Sequence, residues 1–485
     1  MADYTQADRP LRVDSELGED VLLLQGFSGE EGVSRPFSFT LDMLSLDPEL
    51  DPQSLLRKPL TLTVELAGGE QRVIHGLVKR FVQLGQSESG ELTSYQAELV
   101  PWLWFLSLSR DCKIFQGMDV LEIVEDVFKA QGFSDFEIKC VKDYPKREFC
   151  VQYRETHLDF VSRLLEEEGI FYFFQHSDSR HVLTLADDPG EVKPCPGEST
   201  VRMSTMPEAA HEEDFVTALR REHAAHLGTV SLADYDYLQA AVIEGTVSGD
   251  GEQESFDYAG DWDRAERDTK LSRDELERLA RLRLEEQEAW RRVVRGAGTC
   301  RAFQSGCSFD LTEHYRDDVN QTYQLLQVRH SASAGDFKAG RKASFEYQNE
   351  FVAIPAGVPF RPPRLTPKPV VHGPQTAVVV GHPSGKRIYT DSGGYGRVKL
   401  QFHWDRYGNR DDKSSCWVRV SQRTAGKGWG ALKLPHVGNE VIVEFLEGDP
   451  DRPVVTGCLY NADNVAPLGE TAMRIREGAS GGARN

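Results

Sequence analysis

A mainly β protein with minor α content, of the α+β class, is what this sequence predicts, and three observations carry the prediction. Short apolar alternations dominate the first hundred residues, only a few segments keep helical spacing, and the last hundred residues repeat period-two runs between Gly and Asp turns.

Leu60, Leu62, Val64 and Leu66 alternate with polar neighbours, and Gly68-Gly69 supplies a hairpin turn, so the opening reads as paired strands. Asp119 with Glu122 three residues on resembles a capping box. Leu121, Val124, Val127 and Phe128 follow at helical spacing until Gly132, which predicts a short helix. A second helix is predicted over about residues 156–168, with Phe160, Val161, Leu164 and Leu165 on one face and Gly169 as its stop. Residues 170–174 then turn into an aromatic strand. Residues 189–207 hold several Pro and Gly and few large apolar side chains, and are expected to form an exposed connection. Residues 272–295 are crowded with Arg and Glu and lack Gly and Pro. They read as a solvated helix with Leu276, Leu279, Trp290 and Val294 turned inward and its charges on the surface. Seven prolines between residues 353 and 374 forbid regular helix, and they predict an extended, semi-rigid connector and a domain boundary. Beyond it come Val398, Leu400, Phe402 and Trp404, then Val418 and Val420, then Val441, Val443 and Phe445, then Val454, Val455 and Leu459. Strands this short and this regularly spaced suit a small closed barrel of OB type, because closure removes exposed edges.

A chain of 485 residues allows about three domains. Its formal charge of −21 repels phosphate backbones and anionic lipid heads, which disfavours nucleic acid as a partner. Eight scattered cysteines lack the dense spacing of a secreted disulfide scaffold and fit reduced thiols in a cytosol. Neither a signal-like apolar segment at the N-terminus nor a run of 18 apolar residues occurs, so export would need a dedicated route.

Candidate chemical sites fail on spacing. Residues 381–386 (GHPSGK) are one residue short of a phosphate loop, and Arg387 stands where Ser or Thr should hold magnesium. Glu222, His223 and His226 do not reproduce the zinc-binding His-Glu-x-x-His order and read as solvated surface groups. Cys300 and Cys307 have no second pair close in sequence and read as buried thiols or strand neighbours. His157 and Asp159 face different ways on their helix, and Glu166, Glu167 and Glu168 serve better as a helix end than as a sugar-cleaving acid. The only match to a nucleophile elbow, Gly478 to Gly482 around Ser480, lies in a Gly-rich tail with no strand before it. Trp404, Arg406 and Tyr407 could line a carbohydrate- or nucleic-acid-binding face of the barrel, although Gly408 and Asn409 after them favour a polar turn. The sequence thus predicts no catalytic, cofactor-binding or metal-binding residues, and no cofactor.

Longer words carry a family likeness. Residues 388–391 (IYTD), 395–405 (YGRVKLQFHWD), 414–421 (SSCWVRVS), 428–430 (GWG), 435–441 (PHVGNEV) and 444–453 (EFLEGDPDRP) resemble the VgrG proteins, the spikes of type VI secretion systems. Residues 153–156 (YRET) and 159–170 (DFVSRLLEEEGI) are similar to the signature of that family's phage-hub-like part. The resemblance implies phage-hub-like β-barrel domains with short helices over residues 1–372, in two or more subdomains. An OB-fold spike base would follow over 373–462, and the start of a trimeric β-helical needle over 463–485. It further implies a non-enzymatic homotrimer loaded on a tube of Hcp hexamers, capped by a PAAR-repeat protein, and carrying effectors or their adaptors. Such a spike resides in the bacterial cytoplasm before firing and is then secreted through the apparatus into a target cell or the medium. Thr471 to Arg476 and the Gly-rich end look like the needle's first residues, so most of the needle is expected to be missing and trimer contacts to rest on hub and barrel. The rival readings are a peptidoglycan hydrolase, for which about residues 461–470 leave too little room between barrel and needle, and an OB-fold sugar or nucleic-acid module.

Overall fold

Strand pairing across about 300 residues joins early and late segments of the chain: Leu23–Gly32 runs antiparallel to Thr322–Ala334, with Gly26 opposite Ser333. The computed structural model describes residues 4–466, apart from 8, 87–89, 198, 205–212, 259–269, 336, 338–344 and 383–384. Outward from that pairing, Arg35–Ser45, Thr93–Val100, Gln71–Gln86, Pro59–Glu65 and Leu11–Ser15 follow on one side. Phe345–Pro355, Arg292–Gly298 and Val216–His223 follow on the other, within one 13-stranded sheet. The alternation of Leu60, Leu62 and Val64 places these side chains in the main core, each at most 1% exposed. Gly29 is required where the sheet is crossed by the Phe39 ring: a Cβ there would stand 2.2 Å from Phe39 Cδ1.

Helix α1, Val120–Ala130, has the full capping box: Asp119 accepts from the Leu121 and Glu122 N–H groups, and Glu122 accepts from the Asp119 N–H. Asp119→Ala is expected to cost about 1 kcal/mol, measured by chemical denaturation. Helix α2, His157–Glu168, is capped by Thr156 and stopped by Gly169 at φ 69°. A Cβ on Gly169 would lie 2.9 Å from Leu282 of α3, Arg273–Ala289, so the stop is also a packing contact. The hydrophobic faces of α1 and α2 join the same core as the sheet.

Two local expectations need correction. The long helix ends at Ala289, Trp290 is its partly exposed cap, and Val294 belongs to strand Arg292–Gly298 paired with Ala353. β-branched Val293 and Val294 fit that pleated, half-buried surface better than a further helical turn. Residues 189–207 are more than a connection: Lys193–Pro194 and Thr200–Arg202 lie parallel to Cys307–Thr312, while residues 205–207 fall outside the described residues. On α3, Leu276, Ala280 and Leu284 pack on Val230, Leu232 and Val247 of a small sheet of Ala241–Ser248, Leu227–Asp236 and Gln253–Tyr258.

The closed barrel is present. Gln375–Val380, Arg397–Phe402, Val418–Val420, Pro453–Leu459 and Glu440–Phe445 close on one another in that order. Val398, Leu400, Phe402, Val418, Val441, Val443 and Val455 fill it, each at most 1% exposed.

Candidate assembly site: the barrel seat and the exposed barrel end

The proline-rich residues 356–374 are bolted down rather than free. Phe360 packs edge-on to Phe171 at 6.0 Å. Arg361 is buried and donates to the Asp187 carbonyl at 2.7 Å, the Gly169 carbonyl at 3.3 Å and Glu285 at 2.8 Å. The Glu166 carboxylate accepts the Leu365 and Thr366 N–H groups at 3.0 and 2.9 Å, and the Thr366 hydroxyl at 2.9 Å. Proline makes the segment extended, and these bonds remove the freedom that extension leaves.

Where the segment reaches the barrel, Lys368 pairs with Asp449 at 2.9 Å and Asp451 at 2.7 Å. Asp451 also accepts the Val151 N–H at 2.6 Å, tying the barrel to hub strand Cys150–Thr156. Phe149 and Val151 from the hub belong to the barrel's own core cluster. The two bodies therefore share apolar packing around a buried ion triad.

Trp404, Arg406 and Tyr407 lie at this seat. Trp404 stacks edge-on to Tyr153 of the hub at 5.9 Å and donates to Gln375, which donates to the Tyr153 hydroxyl, each at 2.8 Å. Arg406 and the Tyr407 hydroxyl both donate to hub Asp111, at 2.9 and 2.5 Å. Burial alone would raise Asp111, but bonds from Tyr407, the Cys112 N–H and Arg406 outweigh it and hold the carboxyl below its ordinary value. Trp404, Arg406 and Tyr407 thus all contact the hub across the seat, while Arg406 and Tyr407 keep exposed surface.

Arg273, Asp274 and Arg281 of α3 are exposed as expected, but Arg283 and Glu286 are buried and Arg278 turns toward α2. Arg278 donates to Glu168 at 2.9 Å, and Arg283 donates to the Glu166 and Glu167 carbonyls at 3.3 and 2.5 Å, serving the unsatisfied end of α2. Glu167 and Glu168 each bind Arg147 at 2.9 Å, and Glu167 is held down to about 2 because Arg147 and nearby cations overcome its burial. The acidic helix end is thus a structural clamp between α2, α3 and the connector.

The other candidate groups are scattered. Glu222 and His223 lie on strand Val216–His223, where Glu222 accepts from Arg220 and Arg295 at 2.6 and 3.0 Å. His223 is exposed, but the His226 side chain is only 9% exposed and contacts Asp250 at 3.0 Å, so the solvated reading fails for His226. Cys300 is buried, and the neighbour of Cys307 is Cys195, across the parallel pairing of Lys193 with Cys307. His157 is buried beside Gln152, while Asp159 accepts the Thr156 hydroxyl at 2.7 Å within the helix cap. Gly381 follows strand Gln375–Val380 with Val437 against it, and its neighbours Pro383 and Ser384 lie outside the described residues, as do Gly478 to Gly482 and residues 467–485. Among the described residues, no group of three His, Cys, Asp or Glu could hold a metal ion. No described helix is long and apolar enough to cross a membrane.

Opposite this network, the barrel's far end is apolar and bare. Val437, Leu459, Tyr460 and Val465 gather round the Gly438–Asn439 turn, which Asn464 ties to the chain beyond the barrel by donating to the Gly438 carbonyl at 3.1 Å. Ile388 adjoins through the Val437 N–H bond to the Arg387 carbonyl at 3.0 Å, and Leu432 lies against Gly396. Tyr460 is 68% and Val465 75% exposed. The sequence shows each of these side chains but not their convergence on one end.

A hub sheet with an OB barrel seated on it defines a baseplate-hub and injector protein, and the comparisons agree. Residues 30–335 match the family described as phage tail baseplate hub, and residues 388–460 match the type VI secretion system/phage-baseplate injector OB domain. The chain is 40% identical to the type VI secretion system spike protein VgrG1b of Pseudomonas aeruginosa, over 98% of this chain and 63% of that protein. It is equally similar to VgrG1a of the same organism, over 98% of this chain and 73% of the relative. In fold it resembles the E. coli c3393 protein, described as a component of the type VI secretion system. That match has a TM-score of 0.64 at 22% identity and covers 92% of this chain and all of that one. This chain belongs to the VgrG family of type VI secretion system spike proteins. It spans 63 to 73% of the length of these two curated relatives.

Proposed function

We propose that this chain is the hub and base of a homotrimeric spike whose work is mechanical: to sit on a tube of Hcp hexamers and carry thrust toward a target envelope. The observation that carries this reading is the seat of the barrel, where Lys368, Asp449, Asp451 and the Val151 N–H lock two bodies that must move as one under load. In this reading residues 1–372 form the hub, 373–462 the spike base and 463–485 the first part of a needle that a PAAR-repeat protein caps. Effectors or their adaptors travel with it, from the bacterial cytoplasm through the apparatus into a target cell or the medium. A role without catalysis is supported by the structural spike relatives and by the seat bonds that occupy Trp404, Arg406 and Tyr407.

The apolar barrel end is the surface assigned to the other copies. The formal charge of −21 opposes self-association, so the contact must be driven by buried apolar area. Light scattering over a dilution series should give a mass near three times 54.5 kDa that persists on dilution. Val437→Lys with Tyr460→Lys should shift the same chain to monomer while its far-UV spectrum stays unchanged. A wild-type monomer, or a double variant that still trimerises, would reject this surface.

A further inference from the structure

Three histidines meet where the hairpin of Phe171–His176 and His181–Ala186 packs on the large sheet. His181 Nε2 accepts the Trp102 N–H at 2.9 Å, and His181 Nδ1 lies 2.9 Å from His75 Nδ1. Two ring nitrogens keep such a contact only with one proton between them. Because the Trp102 bond occupies the lone pair on Nε2, His181 carries its proton on Nδ1 and donates it to His75. The His75 N–H in turn donates to His176 Nδ1 at 3.2 Å, and the His75 carbonyl stands 3.1 Å from that atom. His75 and His181 are 6% and 3% exposed, and the Phe37 ring lies 5.7 Å from His181 and 5.1 Å from His176. The bonds at His181 and His75 thus belong to neutral imidazoles, and His176 Nδ1 faces the backbone N–H and carbonyl of His75.

An added proton breaks a named bond at His181 and at His75. On His181 Nε2 it evicts the Trp102 N–H. On His75 Nδ1 it faces the proton of His181, while on His176 Nδ1 it exchanges the bond from the His75 amide for one to the His75 carbonyl and leaves burial as the main cost. The charged groups around the rings offer little relief. Asp135, 3.9 Å from Arg180, acts on His75, and Glu31 and Arg72 act on His176. Glu31 is itself held by Arg72 and by His330 at 2.9 Å, and the other nitrogen of His330 is 2.7 Å from the Tyr347 hydroxyl.

We propose that His75, His176 and His181 form an acid-labile joint that releases the hairpin of residues 171–186 from the large sheet in a mildly acidic compartment. Burial holds all three rings below the ordinary imidazole value, with His176 at about 4 and His181 at about 2. Freed rings titrate near 6.5, so the joint is fully stable above that pH and weakens as pH falls from there toward the folded values. At pH 5 release of His176 or of His181 each favours the open form by about 30-fold, and His75 adds in the same direction.

Amide hydrogen exchange read by mass spectrometry on the full chain tests this, after correction for the intrinsic pH dependence. Between pH 7.5 and pH 5, peptides over residues 71–86 and 171–186 should lose protection by at least about 30-fold while barrel peptides over 375–402 keep theirs. Replacing His75, His176 and His181 together by Gln, which can pass on the same bonds without titrating, should abolish the loss. Unchanged protection of the wild type at pH 5 overturns the proposal even if the triple variant fails to fold. So does a loss that His330→Gln alone removes.

Discussion

Arg72→Met is expected to destabilise the hub by about 3–5 kcal/mol, the range for breaking a buried ion pair by deleting one partner. Arg72 and Glu31 are 4% exposed each, Arg72 also donates to the Arg301 carbonyl at 3.1 Å, and the pair sits across the join between early and late segments of the chain. Burial by itself would raise the Glu31 carboxyl, but Arg72 first and His330 second bring it down to about 2. With the guanidinium gone, burial dominates and the carboxyl climbs. The sign of the pH effect follows. In the wild type Glu31 contributes stability above the unfolded carboxylate range, and that contribution is lost as pH falls toward 2. In the variant a protonated Glu31 needs no cation, so the gap between the two proteins should narrow as pH drops through the carboxylate range. Adding Glu31→Gln to Arg72→Met should recover part of the loss at neutral pH. Urea titrations at several pH values would check both points, and a gap that stays constant with pH would show that Arg72 acts by packing alone.

Lys368→Met should release the barrel from its seat. Asp449 and Asp451 are each 7% exposed and share this ammonium, and burial raises Asp449 despite it. Without Lys368 two neighbouring buried carboxylates face each other, and the Val151 N–H remains on a destabilised Asp451. A loss of about 3 kcal/mol is expected, concentrated at the joint. Limited proteolysis reads it directly: residues 356–374 should become cleavable in the variant while hub and barrel fragments stay folded. A cleavage pattern equal to that of the wild type would mean that the Phe149 and Val151 packing and the bonds to Tyr153 and Asp111 hold the barrel without Lys368.

Local signals in the sequence proved reliable where a neighbour within four residues decides the structure. The Asp119–Glu122 box, the Gly169 stop and the period-two strands of the barrel are of this kind. The end of the long helix was not legible, because Trp290 and Val294 keep helical spacing while Val294 is claimed by a partner strand around Ala353. Nor was the inward use of the α3 charges: Arg278 meets Glu168 110 residues away, and an Arg-Glu run looks the same whether it faces water or another helix. The seat is hidden for the same reason. Arg406 reads as part of a polar turn until Asp111, 295 residues earlier, is seen to accept its hydrogen bond.

The pairing of Leu23–Gly32 with Thr322–Ala334 also has a bearing on biosynthesis. A ribosome makes Leu23–Gly32 with its neighbour Arg35–Ser45 early, but the strand on its other side emerges only after about 300 more residues. At roughly 5–20 residues per second the open edge waits on the order of 15–60 s. During that interval Leu23–Gly32 presents unpaired N–H and C=O groups to any other nascent copy. Glu30 and Glu31 lie on that strand, and before Arg329, Arg72 and His330 arrive their charges repel the same strand of another chain. The acidic pair that later locks the hub thus first serves to keep unfinished copies apart.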